Sequence, residues 1–119
     1  MKAIFDTCIL IDYLAGKRLA SDELLRYESR VISRITWMEV MVGSKTDQEL
    51  NDTTLFLSHF GIAELSKSIA EEAVKIRRNL KLKIPDAIIL ATAHVNQCLL
   101  VTRNTKDFTQ NMPNIRIPY

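Results

Sequence analysis

Short apolar runs alternate with amphipathic stretches along the chain. Lys2-Ala3-Ile4-Phe5 reads as a short buried strand over 2–5, and Asp6-Thr7 caps a helix over roughly 7–15 that carries Ile9, Leu10, Tyr13 and Leu14 and ends at Gly16. Ser21 is expected to open a second helix with Leu24 and Leu25 on one face, and Val31-Ile32-Ser33 reads as the second strand. A helix follows over about 35–43 and stops at Gly43. Thr46-Asp47-Gln48-Glu49 has the capping-box pattern and starts a helix that turns Leu50, Leu57 and either Phe56 or Phe60 inward, ending near Gly61. Ile62-Ala63-Glu64-Leu65 is a candidate third strand. A second capping box, Ser68-Ile69-Ala70-Glu71, leads a helix whose Ile69, Ala73, Ile76 and Leu80 recur at offsets 4, 7 and 11, one stripe of a surface helix. Pro85 suits the first turn of the next helix, whose residues 87–95 are apolar nearly all round and therefore central. Leu99 to Thr102 is a fourth strand, and Ile115-Arg116-Ile117 a fifth on an edge.

Strands that read as apolar runs between helices predict an α/β fold. The expected form is a three-layer α/β/α sandwich with a mainly parallel sheet of four or five strands. The length suits one domain over 1–119. In such sheets ligands bind beyond the carboxyl ends of the strands.

Composition adds exclusions. Hydrophobic residues at 47% and charged residues at 25% are ordinary for a globular chain, and 3 Gly and 3 Pro leave little room for linkers. Cys8 and Cys98 sit among aliphatic residues and read as buried thiols of a reducing compartment. Asp6 interrupts any apolar leader, and no apolar stretch approaches the ~20 residues that span a bilayer, so a cytoplasmic location without membrane contact is expected. The net charge of +2 says little about nucleic acid.

The chemistry concentrates in four acids. Asp6 ends the first strand, Glu39 lies inside Trp37-Met38-Glu39-Val40-Met41-Val42, Asp86 opens the central helix, and Asp107 follows the fourth strand across a short link. Each has a structural alternative: a helix cap for Asp6, a solvated side chain for Glu39, a partner of the helix dipole for Asp86, a turn residue for Asp107. Together they suggest carboxylates sharing one pocket, where mutual repulsion raises their pKa values and a hard divalent cation, Mg²⁺ or Mn²⁺, is the simplest remedy. Setting them aside leaves 16 basic against ten acidic residues, a modest positive excess that suits a polyanion. Arg77, Arg78, Lys81 and Lys83 cluster ahead of Asp86, and Arg103 and Lys106 flank Asp107. They are candidates to track a phosphate backbone, with a solvated helix face as the alternative. Asp12 reads as a surface residue and His94 as a hydrogen-bonded core residue. Neither His59 nor His94 has triad partners. Trp37, Met38 and Met41 read as core packing rather than a partner-facing patch.

Four segments in order, Phe5-Asp6-Thr7-Cys8-Ile9-Leu10-Ile11-Asp12-Tyr13-Leu14, Ile35-Thr36-Trp37-Met38-Glu39-Val40, Ile84-Pro85-Asp86-Ala87-Ile88-Ile89-Leu90-Ala91-Thr92-Ala93 and Leu100-Val101-Thr102-Arg103-Asn104-Thr105-Lys106-Asp107-Phe108, give the chain a resemblance to PIN-domain proteins, and within them to VapC-type toxins of toxin–antitoxin pairs. It covers essentially the whole chain, although Ile89 and Leu90 are larger than is usual there. The resemblance implies a Mg²⁺-dependent endoribonuclease with Asp6, Glu39, Asp86 and Asp107 as catalytic and metal-binding acids. Thr7 and Asn104 would be neighbouring polar groups that orient the site or the substrate. It also implies a homodimer and a small VapB-type antitoxin that blocks the site. The chemistry would be metal-assisted phosphodiester hydrolysis, with Asp6 and Asp86 the leading direct ligands and one or two cations both open. Two alternatives are weighed. A non-catalytic PIN-like nucleic-acid-binding module would typically have lost some of the acids. An aspartyl-phosphate phosphatase would need a second Asp where Cys8 stands.

Overall fold

The computed structural model describes residues 1–109 and 111–119. In chain order the elements are β1 (Lys2–Phe5), α1 (Thr7–Leu14), α2 (Arg18–Leu25), β2 (Ser29–Ser33), α3 (Arg34–Val42), α4 (Asp47–Leu57), β3 (Gly61–Ala63), α5 (Lys67–Leu80), α6 (Ile84–Val95), β4 (Leu99–Val101) and β5 (Ile115–Arg116). The five strands form one sheet in the order β3-β2-β1-β4-β5, every pair parallel. The strand order reverses at β1 and β4: the chain steps outward from β1 through β2 to β3, then returns to the other side of β1 for β4.

Alternation along each strand sorts the side chains between two cores. Ile4 and Leu100 face the core built from Ile69, Ala73 and Ile76 of α5 and from α6, where residues 87–93 are all buried. Ala3, Phe5, Ile32 and Val101 face the other, with Ile9 and Leu10 of α1, Ala20 and Leu24 of α2, Val40 of α3 and Leu57 of α4. The sandwich expected from the sequence is therefore present. Phe5 is fully buried and meets Tyr27 and Phe60 edge-on, with ring centroids 5.4 and 6.4 Å away. Each such pair adds about 0.5–1.5 kcal/mol beyond the area it buries.

Several local expectations are corrected. Gly16, at φ +85°, reverses the chain after α1, so α2 starts at Arg18 with Lys17 as its cap and Ser21 lies inside it. The cap of α5 is Ser66, whose hydroxyl accepts from the Ile69 amide at 3.2 Å, and not Ser68. β3 is Gly61–Ala63 rather than 62–65. Leu25, Leu50 and Leu80 are exposed, each on the outward side of its helix. The capping box at Thr46 and Glu49 is present as read. Both cysteines are free and half-buried. No helix among the described residues is long and apolar enough to cross a membrane.

Candidate active site

The acids converge beyond the carboxyl ends of β1 and β4, at the point where the strand order reverses. Asp6 leaves β1 with its amide bonded to the Val101 carbonyl of β4 at 2.9 Å. It caps α1, accepting from the Thr7 amide at 2.8 Å, so the capping role and the pocket role coexist. Its other oxygen accepts from Thr102 Oγ1 at 2.7 Å, with Cys8 Sγ 3.7 Å away. Burial pushes the Asp6 carboxyl above its ordinary range; the bonds from Thr102 and Thr7 oppose this, and the charge of Glu39 adds to it.

Glu39 reaches the same place from α3. It is exposed, contrary to the apolar setting read from its neighbours: Met38 is exposed and Trp37 and Met41 are only partly buried, while Val40 takes the inward face of this turn. Thr7 Oγ1 donates to Glu39 Oε1 at 2.6 Å and lies 3.2 Å from the buried Thr36 hydroxyl. Asp86 stands in the first turn of α6, where the helix dipole favours a carboxylate. Burial outweighs that help. Together with the charge of Asp6, a hydrogen bond shared with Asp107, and the charges of Asp107 and Glu39, it raises the Asp86 pKa to about 6. Asp107 is held low, first by Asn104, whose amide donates to Oδ2 at 3.0 Å, then by its bond with Asp86 and by the charges of Lys106 and Lys83. Of the two, Asp86 is the one that holds its proton longer as pH rises.

Asp6, Thr7, Cys8, Asp12, Glu39, Asp86, Arg103 and Asn104 line one open pocket of about 380 Å³. Asp107 joins through Asp86 and Asn104. Lys83 and Lys106 are near enough to act on Asp107, whereas Arg77, Arg78 and Lys81 are exposed at the end of α5 and in the turn after it and are not among the pocket residues. Among the described residues no three His, Cys, Asp or Glu side chains form a ready-made metal cage. The donor set nevertheless fits a hard divalent cation: carboxylate oxygens share a solvent-open pocket, and burial first, then the charges of neighbouring acids, raises the pKa values of Asp6 and Asp86.

Sequence reading missed two participants. Thr102 is fully buried; besides donating to Asp6 it accepts from the Asn104 amide at 3.0 Å, tying the first acid to the loop of the last. Its one signal was a hydroxyl closing an apolar strand. Asp12, expected on the surface, is largely enclosed and bonded to Arg103 and Tyr119. His94 is half-buried and bonded to Glu72 at 3.0 Å. Trp37 packs against the second core with Arg34 4.8 Å over its ring.

A family model for the PIN domain matches residues 3–111. A solved toxin–antitoxin complex from Klebsiella pneumoniae contains a chain 49% identical, with TM-score 0.93, covering 99% of this chain and 98% of that one. VapBC2 from Rickettsia felis, solved bound to a DNA fragment from its promoter, is 22% identical with TM-score 0.81, covering 97% and 96%. FitAcB from Neisseria gonorrhoeae is 21% identical with TM-score 0.81, covering 98% and 97%; both of these show likeness of fold. No curated protein matches the chain. The order of the four acid-bearing segments, the β3-β2-β1-β4-β5 sheet and these matches agree with the VapC-type resemblance read from the sequence, and the chain belongs to the PIN domain family.

Proposed function

We propose that the protein is a metal-dependent endoribonuclease and the toxin of a type II toxin–antitoxin pair, held in check by a small VapB-type antitoxin protein and working as a cytoplasmic homodimer. The observation that carries the reading is the set Asp6, Glu39 and Asp86 lining one open pocket, with Asp86 pushed to about 6 by burial and by its acidic neighbours. The toxin–antitoxin partnership rests on the 49% identity to a chain of the Klebsiella pneumoniae complex.

Asp6, Glu39 and Asp86 would hold Mg²⁺ or Mn²⁺, with Asp107 completing the set through Asp86. When bound, the cation would polarise a phosphoryl oxygen and lower the pKa of water. Thr102 and the Thr7 amide fix both Asp6 oxygens, and the Thr7 hydroxyl orients Glu39. Asp86 gives up its proton to the solvent as pH rises past about 6, which makes its carboxylate available as a ligand or a proton acceptor. Lys83 and Lys106, with Arg77, Arg78 and Lys81 further along, supply the cationic surface that an RNA backbone needs.

Purified protein free of antitoxin, incubated with RNA and Mg²⁺ or Mn²⁺, is expected to cleave, and Asp6→Asn and Asp86→Asn variants are expected not to. Undiminished cleavage by both variants refutes the assigned site. The lack of a ready-made three-ligand cage among the described residues favours a second reading, a PIN-like module that binds nucleic acid without cutting it. RNA binding by the wild type without cleavage in either cation is the outcome that selects it.

A further inference from the structure

Arg103 follows Thr102 directly, on the rim of the acidic pocket, and its backbone amide bonds to Cys8 Sγ at 3.3 Å. Its guanidinium closes a fork on Asp12, with Nε donating to Oδ2 at 2.7 Å and Nη2 to Oδ1 at 3.1 Å. Tyr119 donates its hydroxyl to the same Oδ2 at 2.8 Å, and Lys17 Nζ lies 5.2 Å from the Tyr119 ring centroid. The Asp12 side chain is only 13% exposed, whereas that of Arg103 is 42% exposed. A carboxylate so enclosed and so fully engaged is not a spare ligand. It anchors a charge that still faces solvent. A guanidinium has five N–H donors, and this fork uses Nε and Nη2, so Nη1 lies outside it. A surface arginine is otherwise free to sample many rotamers, and fixing it in advance removes that entropy from the binding step.

We propose that Arg103 is a preorganised phosphate-binding arm of the pocket, and that Asp12 and Tyr119 are positioning residues that hold it at the pocket rim. The ligand is a phosphodiester of the RNA backbone, so the inference rests on the nuclease reading above. It sets Arg103 apart from Arg77, Arg78 and Lys81, which lie on an unenclosed surface and can supply charge but no fixed geometry.

Two measurements on one set of variants test it. Binding of a fluorescently labelled single-stranded RNA is followed over a salt series with EDTA present, and single-turnover cleavage is followed with Mn²⁺. Arg103→Ala is expected to weaken binding and to lower the slope of log K against log salt by about one. Arg103→Lys keeps the slope but cleaves more slowly, because a point charge cannot close the fork. Asp12→Asn retains the arginine charge, so binding holds or tightens, yet the cleavage rate falls several-fold because the scissile phosphate is held less well. Tyr119→Phe, a change too mild to unfold the chain, shows a smaller fall of the same kind. If Asp12 served only to neutralise Arg103 or to tie down the chain end, Asp12→Asn would bind more tightly or melt earlier and cleave at the wild-type rate; that result overturns the proposal. So does an Arg103→Ala protein that binds and cleaves like the wild type, and it leaves the ribonuclease reading intact. A wild type that neither binds nor cleaves RNA overturns both.

Discussion

On the proposed function, Asp86 sets stability against chemistry within a single side chain. The unfolded chain releases this proton near pH 4, the folded protein at about 6. The fold therefore holds the proton more tightly, and it loses stability as pH climbs through that window, with the full loss present above about 6. Asp86→Asn is expected to abolish cleavage and yet to stabilise the metal-free protein near pH 7.5, by about 1 kcal/mol once solvent screening of a half-buried group is allowed for. The gain should vanish near pH 4. Thermal melts in EDTA over a pH series measure it, and an equal gain at both ends would assign the effect to packing. Thr102→Val keeps the shape and removes the strongest influence opposing the burial of Asp6. It is expected to cost about 1.5–3 kcal/mol in urea unfolding and to move the acid limb of the cleavage pH profile upward. Neither Thr102 nor Asp12 was legible beforehand, because each acquires its role from a partner some 90 or more positions away, Asp6 for one and Arg103 for the other. The four acids were legible because each punctuates an apolar run. That signal misled for Glu39, which is exposed beside an exposed Met38 although Val40, next along α3, is buried.

Helices and strands were easier to read than their ends. Periodicity located every strand and helix core, whereas the start of α2 depended on a chain reversal at Gly16 and the start of α5 on which of two serines the strand exit brought into reach. Lys81 offers a test at this scale. It ends α5 in the left-handed region at φ +59°, which costs a side chain energy that glycine escapes. Lys81→Gly is expected to raise stability by about 0.5–1 kcal/mol. Because Lys81 lies outside the pocket, RNA cleavage in low salt should change little, while binding loses part of its salt dependence. A stabilised variant with unchanged salt dependence would remove Lys81 from the phosphate-tracking surface.

At the scale of the molecule, the sequence announced alternating strands and helices but not their lateral order. That order is a tertiary outcome, and it creates the crevice between β1 and β4. The acids around it repel each other in the metal-free protein, so a divalent cation should act as a stabilising ligand. Mg²⁺ or Mn²⁺ at a hundredfold excess over its dissociation constant is expected to add about 2.7 kcal/mol. The increment should shrink below pH 6, where Asp86 keeps its proton. Differential scanning calorimetry with and without the cation, at two pH values, checks both statements, and a melting temperature indifferent to the cation would argue against a shared site.

The central position of β1 also bears on the order in which the site assembles. β1, which leads into Asp6, pairs with a β4 that lies far along the chain, next to the loop bearing Asp107. Contacts so distant along the chain form late. The pocket therefore needs both segments at once, and a chain that lacks the loop bearing Asp107 lacks one wall of the acidic crevice.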